Sequence, residues 1–388
     1  MKIGLVIDAF YPYVDGVVVV VDNYARSLSK YHEVVVFAPK PKRYDDSKLP
    51  YKVIRVTSVN IDNFDYSIAL PIFDMNINHL LKEQNLDIIH VHSPFFLGQH
   101  AIHFGEKHHI PTVCTIHTQF IDEFKRFTNN DDISELINKY CCIKTFDKCD
   151  ECWTLNSGMK DLYEKMGLQN PLTIIPNATD LKLIEDDKQL DFINKEYQLE
   201  KDTILFSFIG RLISVKNIFF LAKAFKLINQ KYPDTKLMYV GGGEEEKELE
   251  QLIKELQLED KVILAGKIFD RRLLSLIYRR SKLFLFPSLF DANSLVQIEA
   301  ASQKTPTVFI NHAITASNII DNENGFLAPN DVQLFAQRVI QIIENQELYE
   351  KVSNNAYQTI YKTWDDIALY VIKKYQTLID NKGENNEI

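Results

Sequence analysis

Short apolar runs that stop at a polar or glycine-containing turn, each followed by a helix-period stretch, recur along almost the whole chain. No other feature restricts the fold as strongly. Residues 2–7, 33–38, 53–56, 87–93, 111–118, 151–155 and 172–175 form a first series. Residues 203–209, 236–240, 262–264, 283–286 and 307–310 form a second. Near-continuous apolar runs of this length suit strands buried on both faces, and their alternation with helices implies a doubly wound parallel sheet. Between the two series, residues 181–202 are charged and poor in strand signal. A chain of 388 residues also exceeds what one ordinary core holds. The expectation is therefore α/β architecture with two such domains, 1–180 and 181–360, and a tail over 361–388.

Charge and composition exclude several functions. A net charge of −9 argues against a nucleic-acid partner, whose proteins are usually basic where they bind. No run of 18 or more apolar residues is present to span a bilayer. The start, Met-Lys-Ile-Gly-Leu-Val-Ile-Asp, becomes polar too soon for a signal peptide and reads as a buried strand, so a cytoplasmic protein is expected. Cys149 and Cys152 have CxxC spacing near Cys141 and Cys142. They sit where a helix runs into a strand, without a second distant pair, so reduced structural thiols are expected rather than a metal site.

In open parallel sheets, ligands bind beyond the carboxyl ends of the strands. Those ends supply the candidates in the first half. His92 and His117 each close an apolar run, while the loop Asp8–Gly16 carries Pro12 and Gly16 ahead of a helix. Beyond His117, the segment 119–140 reads as mobile and then helical. Phe120, Phe124, Lys125, Arg126 and Phe127 lie together there, a mixture suited to a lipid surface or a large acceptor.

The second half carries the anion chemistry. Gly210-Arg211 ends the strand at 203–209, and Lys216 stands where the next helix opens. Two cations beside a helix N-terminus suit a diphosphate, which needs fixed positive charge and N–H donors together. Gly241-Gly242-Gly243 follows another strand, but Glu246 occupies the place of the third glycine of a dinucleotide fingerprint. In the stretch 286–307 a strand end leads through Asp291, Ala292, Asn293 and Ser294 into a helix. The first amides of that helix, at Leu295 and Val296, point back at the turn, with Glu299 deeper on the same helix.

This ordered set resembles a known family. Gly210-Arg211 with Lys216, Val240 to Gly243, the acids Asp291 and Glu299, and Asn324-Gly325-Phe326-Leu327 are similar to the C-terminal half of the retaining GT-B-fold glycosyltransferases of family 4. Pro12 to Gly16, His117-Thr118, Asn156-Ser157 and Ile175-Pro176-Asn177 resemble the N-terminal half. The tail from Thr363 to Tyr375 resembles the family's last helix, which returns to the first domain. Tyr11 to Val17 and the segment after His117 are similar to bacterial diacylglycerol glucosyltransferases.

The resemblance implies two Rossmann-like domains facing across a cleft, acceptor on the N-terminal one and nucleotide sugar on the other. It implies a donor site of Gly16, Gly210, Arg211, Lys216, Gly241, Gly242, Asp291, Asn293, Ser294, Leu295, Val296 and Glu299. Arg211 and Lys216 would hold the diphosphate, Glu299 the ribose hydroxyls and Asp291 the sugar. His117 would orient the sugar and stabilise developing charge. His92, Phe120, Lys125 and Arg126 are the acceptor-side candidates. The implied donor is UDP-glucose, and the implied acceptor a lipid or cell-envelope glycan, met at the inner face of the membrane. Neither a cofactor nor a metal is implied, because cations and helix dipoles neutralise the leaving diphosphate. Asp291 stands where the family usually has Glu, and Ala292-Asn293-Ser294 where it usually has a Phe-Gly pair. These departures leave as the alternative a non-catalytic partner subunit of an active glycosyltransferase; a GT-B-type sugar-nucleotide epimerase fits the ordered motif set less well.

Overall fold

The computed structural model describes residues 1–61, 66–71, 74–292 and 294–386. The chain divides into two compact units, Met1–Asn177 with Trp364–Ile388, and Ala178–Thr363.

The first unit holds a seven-stranded sheet of β1 (Lys2–Val6), β2 (Glu33–Pro39), β3 (Lys52–Val56), β6 (Ile88–Val91), β7 (Thr112–Ile116), β8 (Glu151–Thr154) and β9 (Leu172–Ile174). Its order is β3-β2-β1-β6-β7-β8-β9, and all its pairings are parallel. The side chains explain this arrangement. β6, β7 and most of β2 are buried throughout, as a sheet covered by helices on both faces requires. A separate antiparallel pair, β4 (Ser58–Ile61) with β5 (Tyr66–Ala69), was not expected from sequence.

One local reading holds and one needs correction. The valine run after Gly16 belongs to the helix expected there, which spans Gly16–Leu28. β-Branched residues are weak helix formers. Here Asp15 caps the start by accepting from the Val18 amide, and Val18, Val20 and Val21 are buried, so packing and capping override propensity. The segment 119–140 is helical rather than a loose tract, with helices Phe120–Thr128 and Asp131–Ile137. Asn129, at φ +50°, ends the first helix, and the Asn130 side chain caps the second by accepting from the Ile133 amide. The polar Asn-Asn-Asp-Asp run is a stop followed by a start.

The second unit holds a six-stranded parallel sheet ordered β12-β11-β10-β13-β14-β15. Its strands are β10 (Ile204–Ile209), β11 (Thr235–Val240), β12 (Val262–Leu264), β13 (Leu283–Phe286), β14 (Thr307–Ile310) and β15 (Phe326–Ala328). β15, of three residues, was not expected as a strand from sequence. Phe206, Phe208, Phe225, Tyr239, Phe284 and Phe286 pack the centre of this unit, all under 2% exposed. Truncating any one of these phenylalanines to alanine is worth roughly 3–5 kcal/mol. The sheet is thus a stiff support for the loops at its carboxyl edge.

The helix Trp364–Asn386 belongs to the first unit. Lys30 pairs with Asp365 at 2.6 Å, and Lys382 with Asp150 at 2.7 Å. The Tyr375 hydroxyl lies 2.5 Å from His90 Nδ1, inside the first unit's core.

Candidate functional site

The second unit gathers its candidates on loops that leave the carboxyl ends of β10, β11 and β13. After β10, Gly210 leads to Arg211, which is exposed and makes no side-chain bond among the described residues. A short turn, Ser214–Lys216, then passes through Asn217, at φ +61°, into the helix Ile218–Lys231. Asn217 Nδ2 donates to the Pro287 carbonyl at 3.2 Å, which ties the Lys216 loop to the end of β13.

Gly241 and Gly243 have a packing reason. A Cβ on Gly241, at φ +145°, would lie 1.9 Å from the Gly210 carbonyl oxygen, and one on Gly243 would lie 2.1 Å from that of Leu212. The two loops press back to back, and only glycine allows it. Gly16 is different: a Cβ there meets nothing within 4 Å, so its environment leaves room for a side chain.

Lys216 Nζ donates to Asp291 Oδ1, and the side chains are 12% and 17% exposed. Sequence reasoning places these residues on different parts of one ligand, and the structure brings them into direct contact. The other oxygen, Asp291 Oδ2, is buried and has no hydrogen-bond partner. An unpartnered buried carboxylate oxygen costs free energy, roughly 1–3 kcal/mol, and is a ready acceptor for a hydroxyl. Asn293 lies outside the described residues. Ser294 is the N-cap of the helix Leu295–Ser302, but its side chain makes no capping bond, so the first amides at Leu295 and Val296 have no side-chain cap. Such a helix start attracts anions.

Glu299, on that helix, is 6% exposed and engaged on both oxygens. Oε1 accepts from Arg271 Nη1 at 2.7 Å, and Oε2 from the Tyr278 hydroxyl at 3.1 Å. Arg271 also pairs with Asp180 and donates to Thr179 Oγ1 at 3.3 Å. Burial pushes the Tyr278 hydroxyl well up, and the Glu299 carboxylate beside it adds to that. Arg271, Tyr278 and Asp180 were missed from sequence. Their partners are up to 92 residues away, so no local spacing marks them.

In the first unit, β6 and β7 lie side by side and bring His92 and His117 together as their ends suggest. His92 Nδ1 is 2.9 Å from His117 Nε2, and the rings stack at 5.2 Å. His92 corrects the acceptor-side expectation. At 2% exposed it sits beneath His117 instead of facing solvent. Behind it, His90 packs against His92 with ring centroids 3.9 Å apart and the planes tilted by 36°. Burial holds His117 down to about 3 and drives His90 and His92 well below the ordinary imidazole range, so all three are neutral near pH 7.

Of the other acceptor-side candidates, Phe120 is buried at 9%, against Phe95 and Phe146. It therefore anchors its helix instead of offering a contact. Lys125 and Arg126 are exposed at 40% and 44%, and Phe127 beside them at 90%. The thiols are free: Cys114 and Cys152, on neighbouring strands, have sulfurs 3.2 Å apart. No described helix is long and apolar enough to cross a membrane.

Two parallel-sheet units, each with polar groups at strand carboxyl ends, define a class that the comparisons make specific. Residues 14–183 match the model described as Glycosyltransferase Family 4, and residues 190–359 match Glycosyl transferases group 1. The chain is a GT-B glycosyltransferase built from a family 4 domain followed by a group 1 domain. It is 25% identical to the alpha-monoglucosyldiacylglycerol synthase of Acholeplasma laidlawii, over 92% of each chain. It is also 25% identical to the synthase of the same name from Streptococcus pneumoniae, covering 79% of this chain and 70% of that one. In fold it is similar to Anabaena HepE crystallised with UDP, with a TM-score of 0.76 and 16% identity over 97% of this chain and all of that one.

Proposed function

We propose that the protein transfers a hexose from a nucleotide sugar, UDP-glucose first among the candidates, onto a lipid or cell-envelope glycan with retention of configuration. The observation that carries this reading is the polar edge of the second unit. There an unpaired Arg211, the half-buried Lys216–Asp291 pair and an uncapped helix start at Leu295 and Val296 lie on loops from the same sheet edge. A diphosphate needs two fixed cations and free amides, and these residues are of that kind. As the bond to the anomeric carbon breaks, negative charge grows on the diphosphate, and Arg211, Lys216 and the helix start stabilise it. These groups do the work often given to a metal ion, so chelators should leave turnover unchanged.

The remaining roles follow from the contacts. Asp291 keeps Oδ1 on Lys216 and offers Oδ2 to a sugar hydroxyl. Glu299, held by Arg271 and Tyr278, accepts from the ribose. His117 is neutral and orients the sugar. For retention, the acceptor hydroxyl attacks the face the diphosphate leaves, and its proton passes to the departing phosphate oxygen. UDP as nucleotide is supported by the UDP bound to a protein of similar fold, and a lipid acceptor by the diacylglycerol synthases named above. The helix Phe120–Thr128 supports peripheral contact with a membrane, through exposed Phe127 flanked by Lys125 and Arg126.

A transfer and hydrolysis screen tests the proposal. Purified protein is offered a panel of sugar nucleotides, with and without diacylglycerol-containing vesicles and with and without EDTA. Turnover of UDP-glucose, raised by vesicles and indifferent to EDTA, is the expected result. Absence of turnover with every donor would overturn it in favour of a partner subunit.

A further inference from the structure

The two nitrogens of His117 have unequal surroundings. Nε2 lies 2.9 Å from His92 Nδ1, while Nδ1 has no protein partner among the described residues and is not among the fully buried polar atoms. Which nitrogen of a neutral imidazole carries the proton is set by the bond the other one makes. The state of His117 is therefore decided one residue back, at His92.

His92 has little freedom of its own. Its Nε2 is buried without a hydrogen-bond partner. The ring packed against it, His90, is fully committed: Nδ1 lies 2.5 Å from the Tyr375 hydroxyl and Nε2 2.7 Å from Thr115 Oγ1. His90 thus has no nitrogen left for His92. A proton on His92 Nε2 would be an orphaned donor in a ring 2% exposed, with a penalty of about 1–3 kcal/mol. A proton on Nδ1 instead has an acceptor in line, and buried orphan donors are rarer than under-used acceptors.

We propose that His92 is a positioning residue: its Nδ1–H donates to His117 Nε2 and locks His117 in the tautomer that presents an Nδ1–H donor. This rests on the reading that His117 faces the sugar. In that tautomer His117 gives a hydrogen bond to a sugar oxygen. In the opposite one it would present a bare lone pair, repelled by the same atom and by developing negative charge on the phosphate. Burial keeps the pair neutral, so the tautomer and not the charge is what His92 controls.

The direct test is long-range proton–nitrogen correlation on the full-length enzyme labelled with 15N-histidine, with the His117 signals assigned by their loss in His117→Asn. The proposal expects the proton on His117 Nδ1 in the unsubstituted protein. A proton on Nε2 overturns it, and that reading needs no variant of His92 to fold. His92→Phe should release His117 to the Nε2–H form and lower kcat roughly 10- to 100-fold, with donor KM little changed. His92→Asn, whose amide nitrogen overlays Nδ1, should restore both tautomer and turnover, whereas His92→Gln should not. Equal activity of the Phe and Asn variants contradicts the proposal. If His117→Ala retains full turnover, the role given to His117 fails, while the nitrogen measurement still decides what His92 does.

Discussion

At their candidate strand ends, the two units treat polar side chains in opposite ways. In the second, charges are kept and matched: Lys216 against Asp291, and Arg271 against Glu299 and Asp180, at or just under the surface. In the first, three imidazoles pack together in the core and are stripped of charge by burial. Paired charges can be repartitioned when an anion arrives, because each partner gains an alternative. A buried neutral imidazole cannot answer a charge in that way, but it holds one hydrogen-bonding direction rigidly. The charged groups of the second unit suit an anion, and the neutral imidazoles of the first suit a fixed hydrogen-bonding direction.

The largest effect should come from breaking the charged side of that contrast. Lys216→Ala is expected to lower turnover by about 10²–10³-fold, the cost of removing one preorganised donor to a developing anion. UDP binding by calorimetry should weaken with it, and unchanged donor affinity would contradict the clamp. Next comes Asp291→Asn, which keeps the shape but removes the charge opposite Lys216. Steady-state kinetics should show kcat falling roughly 10-fold, the upper range of a 1–1.5 kcal/mol hydrogen bond, with UDP affinity nearly preserved. Equal loss of both would move Asp291 onto the nucleotide.

The smallest effect sharpens the neutral side. His90, His92 and His117 have depressed folded-state values and an ordinary value near 6.5 when unfolded. Below about pH 6.5 the unfolded chain takes up protons that the folded unit refuses, so stability is present above that pH and lost as pH falls. Each imidazole adds up to about 1.4 kcal/mol per pH unit in this window. Urea unfolding at pH 7.5 and 5.5 should show the first unit losing stability, with the loss reduced in His117→Asn. A pH-independent transition would refute the buried neutral cluster.

What was legible in the sequence follows the range of the physics. Strand runs, the turn at Asp291, the helix start at Ser294 and the cations at Arg211 and Lys216 are written in local pattern. Their elements lie where the pattern puts them. His92 and His117 were picked as strand ends, and their adjacency follows once β6 and β7 pair in parallel. Depth was not legible: nothing local says that His92 lies beneath His117, or that Phe120 is an anchor. Nor was long-range pairing. Arg271 reaches Asp180 and Glu299 from a helix that reads as an ordinary amphipathic surface, and Tyr375 reaches His90 across 285 residues. The valines after Gly16 are β-branched, yet the Asp15 cap and burial on one face hold them in the helix expected there.

Hydrogen exchange of the full-length protein with and without UDP tests the central claim most directly. The account predicts slowed exchange at the Leu295 and Val296 amides and along residues 211–218, with the His92 and His117 strand ends unaffected by UDP alone. Protection confined to the first unit, or none at saturating UDP, would contradict it.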